Sequence, residues 1–236
     1  MPLTPPLEVH LYWLQTSPLL RGGLSLAWLT AEERARHDRW LSDEKRFEFL
    51  AGRALLRHVL RAHAIPEAAF RVTASGRPEL RGGADINLSH SSGHFLVGFT
   101  PRGRVGVDVE VHAPRERTLM DRFFNPDEQR WMGDSPGRLH ELWTLKEAAM
   151  KAVGTGVSGN PARVTRDPVT GAVTIDGTPP GVMTASWQQF GEDVSAAAVW
   201  LGLLPAVDTF QLHHVTAREL LDEQETAAQQ MQRNPA

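Results

Sequence analysis

Residues 105–111 read Val-Gly-Val-Asp-Val-Glu-Val, a strict alternation of apolar and other side chains. A β-strand turns successive side chains to opposite faces, so Asp108 and Glu110 share one face and the valines share the other. The valine face requires a second layer to pack against. Gly106 allows another backbone or a ligand to approach the acidic face closely. The segment therefore predicts a packed strand with two carboxylates on one face.

A second motif runs from Trp143 to Lys151. Trp143, Glu147 and Lys151 are spaced at i, i+4 and i+8 and so lie along one side of a helix. If this helix packs on the acidic strand, Asp108, Glu110 and Glu147 can direct three carboxylates at one hard cation. Ligation by oxygen alone favours magnesium over zinc. The simpler alternatives are a solvated strand edge and a Glu–Lys salt bridge on a helix surface.

Composition excludes several classes of function. The chain of 236 residues is 41% hydrophobic and 22% charged, as globular domains are, and it has no cysteine. This excludes disulfides, thiolate metal sites and a cysteine nucleophile, and it fits a reducing cytoplasm. The N-terminus does not resemble a signal peptide, and the most apolar stretch, residues 196–207, is too short to span a bilayer. We therefore expect a cytoplasmic protein with no membrane partner.

Charge is distributed unevenly along the chain. Residues 1–104 carry 14 Lys/Arg against 10 Asp/Glu, whereas the remainder carries 11 against 18. This asymmetry favours anion binding in the first part and cation binding in the second, with two ordinary solvated surfaces as the alternative. Nucleic acid is not an expected partner, because the net charge is −3 and few aromatic residues interleave the basic helix that carries Arg46, Arg53 and Arg57.

Two short segments supply candidate phosphate ligands. Segment 87–93, Asn-Leu-Ser-His-Ser-Ser-Gly, is expected just past a strand, where Ser89, His90 and loop amides can surround a phosphate. The turn at 76–78 offers the guanidinium of Arg77, and an arginine can bind phosphate through two donors. Each segment alone is also consistent with a polar surface turn.

The order of predicted elements repeats along the chain. Each part begins with a strand, continues through helices to one long helix, and ends in a β-meander, over about 100 residues. We therefore predict an α+β fold of two similar halves. The predicted units are an N-terminal half over 1–104, a C-terminal half over 105–215 and a C-terminal helix or tail over 216–236.

The periodicities and capping signals give bounds for the individual elements. Thr30 followed by Glu33 is a capping-box pattern that should start a helix, and Ser42-Asp43 begins the next, longer helix. The predicted strands cover 7–13, 70–74, 86–89, 95–99, 105–111, 162–165, 172–175, 183–187, 195–200 and 209–213. The predicted helices cover 30–41, 42–63, 115–124, 127–132, 137–153 and 216–230.

Taken in order, these motifs resemble the surfactin-type 4′-phosphopantetheinyl transferase family over residues 30–160. The matching segments are Ala51-Gly52-Arg53, Gly76-Arg77-Pro78, Asn87 to Ser91, Gly106 to Glu110, Arg122-Phe123-Phe124 with Glu128, and Trp143 to Lys151 followed by Gly154 and Gly156. Arg77 departs from the family, which often has lysine there. The charge is kept, while the geometry of a phosphate contact can differ.

The resemblance implies a fold, a reaction and a cofactor. The two α+β halves would be related by a pseudo-twofold axis, with the active site and coenzyme A in the cleft between them. The enzyme would transfer the phosphopantetheine arm of coenzyme A to a serine of an apo acyl or peptidyl carrier protein and release 3′,5′-ADP. Mg²⁺ would be its cofactor. With both halves fused in one chain, we expect a monomer.

The resemblance also assigns roles to residues by motif. Asp108, Glu110 and Glu147 would hold Mg²⁺, and Lys151 would face the pyrophosphate and its leaving group. Glu147 would also be the base for the serine hydroxyl, so the expected catalytic residues are Glu147, Lys151 and Asp108. The residues expected to contact coenzyme A are Arg53, Gly76, Arg77, Pro78, Ser89, His90 and Lys151.

Two other functions use the same residues. A magnesium-dependent hydrolase of coenzyme A or a nucleotide diphosphate would employ the three carboxylates without a carrier protein. A non-catalytic module that binds coenzyme A or a carrier protein would need neither the acids nor Lys151, and the chain retains all of them.

Overall fold

The computed structural model describes residues 8–73, 76–113, 121–154, 159–167, 169–178, 183–202 and 209–233. Its strands are β1 (Glu8–Gln15), β2 (Phe70–Val72), β3 (Pro78–Leu80), β4 (Asp85–Ser91), β5 (His94–Thr100), β6 (Arg104–Val111), β7 (Val164–Arg166), β8 (Val173–Ile175), β9 (Met183–Phe190), β10 (Val194–Leu201) and β11 (Thr209–Val215). Its α-helices are α1 (Pro18–Gly23), α2 (Ala31–Asp38), α3 (Asp43–Ala62), α4 (Pro126–Met132), α5 (Pro136–Val153) and α6 (Ala217–Arg233). Most of the predicted helix over 115–124, and Gly156, lie outside the described residues.

Local sequence explains where the long helices begin and end. Thr30 and Glu33 form the predicted capping box at the start of α2. Ser42 caps α3 through its side chain, as the sequence predicted. Helix α5 ends at Gly154, whose left-handed conformation (φ 93°) suits glycine. None of the described helices is long and apolar enough to cross a membrane.

Two sheets form the centre of the molecule. The first has the strand order β11-β1-β5-β4, in which only the β11–β1 pair is parallel. The second has the order β6-β10-β9 and is antiparallel throughout. Two short hairpins, β2–β3 and β7–β8, form separate two-stranded sheets. The predicted α+β class is therefore confirmed.

The two sheets share one order of connection. In the first sheet β5 lies between β1 and β4, and in the second β10 lies between β6 and β9. In both sets the strand that comes last along the chain is therefore central, with the first strand on one side of it and the strand before it on the other. Each set also includes a long helix, α3 or α5, followed by a short hairpin. This shared order agrees with the predicted repeat, while the pseudo-twofold relation stays a prediction.

Strand β11 differs from the predicted division of the chain. We placed residues up to 215 with the C-terminal half, but β11 pairs with β1 over the whole of its length. Val215 and Leu220 lie in the same apolar core as α3, and α6 packs against α1 and α3. Burial of these side chains draws the end of the chain onto the N-terminal sheet.

The layers follow the alternation of side chains along the strands. One face of the first sheet packs on α3. Its other face packs on the second sheet, where Val105, Val107 and Val109 are buried as predicted. Helix α5 and the hairpin β7–β8 cover the opposite face of the second sheet. The order is therefore helix, sheet, sheet, helix.

Gly106 determines how closely α5 packs on β6. A Cβ atom built at this position would lie 2.0 Å from the carbonyl oxygen of Ala148 and 2.3 Å from the amide nitrogen of Ala152. The helix thus rests on the strand backbone itself, with Ala148 and Ala152 fully buried at the contact. Any side chain at position 106 would push the helix away.

A cluster of aromatic and histidine rings joins β11 and β1 to the end of α3. His10 Nδ1 lies 3.1 Å from His213 Nε2, and the hydroxyl of Tyr12 lies 2.9 Å from His63 Nε2. His63 also stacks on Phe99, with ring centroids 3.8 Å apart. Burial, reinforced by His10 and His213, lowers the pKa of His63 to about 4.

We expect Gly106→Ala to lower the free energy of unfolding by at least about 3 kcal/mol, because the helix backbone cannot yield as a flexible side chain would. Urea denaturation followed by circular dichroism measures this. The matched control is Gly22→Ala in α1, where an added Cβ meets nothing within 4 Å. A Gly106→Ala protein as stable as wild type would contradict the close contact.

We expect stability to fall as pH falls from 6.5 toward 4, in part through His63. Its folded-state pKa of about 4 lies below the ordinary 6.5, so the folded protein binds fewer protons over this range. The contribution of neutral His63 to the free energy of unfolding is present above pH 6.5 and is lost as the pH falls toward 4. The Tm of His63→Gln should therefore depend less on pH than that of wild type, whereas exposed His214→Gln should match wild type. Equal pH dependence in all three would refute the assignment.

Candidate active site

Asp108 is the centre of the site. Its side chain lies on the face of β6 that α5 covers, and the residue is only 4% exposed. Oδ1 accepts hydrogen bonds from Ser89 Oγ at 2.8 Å and from Lys151 Nζ at 2.6 Å. Lys151 Nζ also donates to Ser89 Oγ at 2.9 Å. The strand and the helix thus bring an acid and a cation together, as their spacing predicted.

The second oxygen of Asp108 has no partner. Oδ2 is buried, and among the described residues it is the one carboxylate oxygen that is buried without a hydrogen bond. Leaving such an acceptor unsatisfied costs roughly 1–3 kcal/mol or more, so proteins normally provide it with a donor, a water molecule or a cation. This atom fits a site for an additional cation.

Glu110 and Glu147 lie near Asp108 in the fold but do not close around it. Glu110 is half-buried two residues further along β6, and Glu147 is half-buried one turn before Lys151 on α5. Among the described ranges, no three His, Asp or Glu side chains are grouped closely enough to hold a metal ion. The structure therefore leaves the three-carboxylate site a prediction. The oxygen-only donor set and the unpartnered Oδ2 remain chemically suited to Mg²⁺.

Strand β4 runs beside β6 and is joined to it by side chains. Alternate residues of β4 direct a carboxylate, an amide and two hydroxyls toward β6. We call these contacts the side-chain seam. They are Asp85 Oδ2 with Val105 N (2.9 Å), Asn87 Oδ1 with Val107 N (2.9 Å), Ser89 Oγ with Asp108 Oδ1 (2.8 Å) and Ser91 Oγ with Val111 N (3.2 Å).

The seam shows what part of segment 87–93 contacts in this structure. We expected the segment just past a strand that ends at residue 89, but the strand β4 extends to Ser91. The phosphate contacts of Ser89 and His90 stay a prediction. Ser89 is buried, and its hydroxyl both donates to Asp108 and accepts from Lys151. Asp85, Asn87 and Ser91 accept from amides of β6, and Ser89 donates to the Asp108 side chain, so polar residues occur at every second position.

A basic cleft of about 280 Å³ lies between α3, β4 and the turn before β3. It brings together four of the residues expected to contact coenzyme A, namely Arg53, Gly76, Pro78 and His90. Its charged and titratable members are three cations, one carboxylate and one imidazole, so it favours an anionic ligand. The lining consists of Arg36, Trp40, Lys45, Glu48, Phe49, Gly52, Arg53, Gly76, Pro78, Leu88 and His90.

Arg53 and His90 are held in place by aromatic rings. The Arg53 guanidinium lies 4.8 Å from the centroid of Phe49, with Nε 3.2 Å from a Glu33 oxygen. Burial lowers the pKa of Arg53 to about 10, so the side chain remains a cation at neutral pH. His90 stacks on Phe95, and burial lowers its pKa, with the Lys151 ammonium contributing. Glu48 opposes this lowering of the pKa of His90, and Lys45 adds to it.

Arg77 lies outside the cleft lining, although its neighbours Gly76 and Pro78 belong to it. Nη2 donates to Asp85 Oδ2 at 2.8 Å, and Nη1 donates to the carbonyl oxygen of Lys151. Burial lowers the pKa of Arg77, opposed by Asp85. The described contacts of Arg77 are within the protein, and its phosphate contact stays a prediction.

Sequence reasoning missed the role of Lys146 in the second motif. Lys146 and Glu128 are each 1% exposed, and Nζ lies 3.0 Å from Glu128 Oε2. Nζ also donates to the carbonyl oxygen of Val164. The lysine thus ties α5 to α4 and to the start of β7. Glu128 also forms a capping box with Asn125 at the start of α4.

Comparison with known proteins bears on the whole arrangement. Residues 104–198 match the family model described as the 4′-phosphopantetheinyl transferase superfamily. A 4′-phosphopantetheinyl transferase homologue from Synechocystis sp. is 33% identical over 164 residues, which cover 64% of this chain and 66% of that protein. The 4′-phosphopantetheinyl transferase psf-1 of Bacillus pumilus is 33% identical over 143 residues, which cover 56% and 60%. The resemblance inferred from the sequence is confirmed.

The matched segments are shorter than these relatives. The matches span slightly less than two thirds of the length of these relatives. The structure of Helicobacter pylori holo-[acyl-carrier-protein] synthase in complex with coenzyme A is 19% identical and covers 42% of this chain and 99% of its own, with a TM-score of 0.35. That score is too low to establish a shared fold.

We expect Asn87→Ala to lower the free energy of unfolding by about 2–4 kcal/mol, because it leaves the buried Val107 amide without an acceptor and creates a cavity. Ser91→Ala is the matched control on the same face of β4. Its bond is longer and half-exposed, so water can replace the hydroxyl and the loss should stay below about 1 kcal/mol. Equal losses in the two variants would show that the seam contributes no specific stability.

Proposed function

We propose that this chain, which resembles the 4′-phosphopantetheinyl transferases, transfers the phosphopantetheine arm of coenzyme A to a serine of an apo acyl or peptidyl carrier protein. The serine oxygen bonds to the phosphorus that carries the pantetheine, and the bond from that phosphorus to 3′,5′-ADP breaks. The observation that carries this proposal is the basic cleft beside the pair of buried Asp108 and half-buried Lys151. The names of the relatives as transferases support it.

The cleft supplies the coenzyme A contacts of this proposal. Arg53 and His90 would bind the phosphates, and Gly76 and Pro78 would line the same pocket. The cations counter the charge of the diphosphate, which otherwise repels an oxygen nucleophile. Lys151, already beside Asp108, would stabilise the 3′,5′-ADP leaving group.

Asp108, Glu110 and Glu147 would hold Mg²⁺. The ion would neutralise negative charge on the diphosphate when bound. Glu147 would in addition accept the proton of the serine hydroxyl. The unpartnered Oδ2 of Asp108 is the feature of this chain that supports a cation here.

We also propose the finer organisation that the family implies. The units 1–104 and 105–215 would be related by a pseudo-twofold axis, with residues 216–236 as an appendage and with β11 paired to the first unit. Since one chain supplies both the cleft and the carboxylates, a monomer is sufficient. We place the reaction in the cytoplasm.

One experiment distinguishes transfer from the alternatives. The protein is incubated with coenzyme A, Mg²⁺ and an apo carrier protein, and the carrier is weighed by mass spectrometry. We expect the carrier to gain one phosphopantetheine group. Free phosphopantetheine without a carrier would instead support a hydrolase, and an unchanged carrier with bound coenzyme A would support a binding module.

We expect Glu147→Ala to reduce kcat by roughly 10²–10⁴-fold, the usual contribution of a positioned base and ligand, with little effect on the Kd for coenzyme A. Glu141→Gln on the same helix is the control, because that carboxylate faces Arg166 away from Asp108. Near-normal turnover by Glu147→Ala at saturating Mg²⁺ would remove Glu147 from the mechanism.

A further inference from the structure

We propose that Arg77 is a positioning residue that holds the C-terminal end of α5, and with it Lys151, against β6. This inference rests on the proposed function, because the position of Lys151 matters for a reaction at Asp108. It reassigns a residue whose sequence motif suggested contact with coenzyme A.

The two terminal nitrogens of the Arg77 guanidinium bond to three elements, while its buried Nε has no hydrogen-bond partner. It donates to Asp85 on β4 at 2.8 Å and to the carbonyl oxygen of Val105 on β6 at 3.3 Å. It also donates to the carbonyl oxygen of Lys151 on α5. The side chain is 14% exposed and is not part of the lining of the cleft to which Gly76 and Pro78 belong. A ligand phosphate would have to break these contacts to reach it.

Asp85 fixes the other end of this arrangement. Its side chain is 9% exposed, and Oδ2 also accepts from the amide of Val105 at 2.9 Å. Arg104 Nε lies 3.4 Å from the same oxygen. The carboxylate therefore belongs to the side-chain seam, and Arg77 links it to the carbonyl oxygen of Lys151 on α5.

The contact with α5 occurs where a helix needs a cation. Lys151 lies two residues before the last residue of α5, so its carbonyl is among those without a partner inside the helix. A guanidinium there satisfies the carbonyl and interacts favourably with the helix dipole. With its backbone held, the Lys151 side chain reaches Asp108 at 2.6 Å and Ser89 at 2.9 Å.

The geometry also explains arginine at this position. The two terminal nitrogens point in different directions, one toward Asp85 and one toward the helix carbonyl. A lysine ammonium is a single point charge and cannot reproduce a fixed, planar fork. Arg77→Lys therefore distinguishes phosphate binding from positioning of α5. Phosphate binding requires only the positive charge, which lysine keeps, whereas the contacts to both Asp85 and the helix carbonyl require the planar guanidinium.

The test compares Arg77→Lys, Arg77→Ala, Asp85→Asn and Arg77→Ala/Asp85→Asn. For each we measure kcat and KM in carrier modification and the Kd for coenzyme A by calorimetry. We expect all four to lower kcat by roughly 10–100-fold, as displacement of a catalytic group does. The Kd for coenzyme A should stay within about threefold of wild type, and the double variant should be no worse than Arg77→Ala. Arg81→Ala, an exposed arginine in the same hairpin, should behave as wild type.

Three results would overturn the proposal. The first is a large rise in the coenzyme A Kd for Arg77→Ala but not for Asp85→Asn, and the second is full activity of Arg77→Lys. The third is additive loss in the double variant. If Arg77→Ala does not fold, Arg77→Lys and Asp85→Asn decide. Failure of the proposed transferase function gives a different result, because wild type would then leave the carrier unmodified. In that case the unfolding free energies of the same variants still measure the coupling between Arg77 and Asp85.

Discussion

The close contact between α5 and the backbone of β6 at Gly106 governs the site. With 2.0 Å between a hypothetical Cβ and the carbonyl oxygen of Ala148, no other residue fits without moving the helix. The contact fixes both the distance and the rotation of α5. Ala148 and Ala152 fill the space directly above Gly106. Lys151 and Glu147 therefore lie to the side of this contact, and Lys151 reaches Asp108 from there.

Several further contacts hold β6 and α5 in these positions. The side-chain seam binds β6 on one edge, and β10 pairs with it on the other. At the far end of the site, the buried Lys146–Glu128 pair holds α5 against α4 and β7. Such a pair stabilises less than its charges suggest, but removing one partner would leave an uncompensated buried charge. The strand is thus held at both edges and the helix by its buried ion pair, so the groups that they carry are held in fixed positions.

Much of the fold could be predicted from sequence because its signals are local. The capping box at Thr30 and the alternation over 105–111 each involve neighbours in the chain, and both were confirmed. The positions of Arg77 and Ser89 could not be predicted in this way. Ser89 bonds Asp108, 19 residues away, and Arg77 bonds Lys151, 74 residues away. A polar side chain that bonds a distant element has the same sequence signature as one that bonds a phosphate. The pairing of β11 with β1 was missed for the same reason.

The side-chain seam has a consequence for how such a protein can change over generations. Strands joined by a backbone ladder are linked through groups that every residue possesses, so substitution hardly alters the joint. Here β4 and β6 are linked by one carboxylate, one amide and two hydroxyls. Each is replaceable by a single codon change. The alignment of the two sheets, and with it the spacing between the basic cleft and the carboxylates, is therefore open to gradual adjustment by selection, one residue at a time.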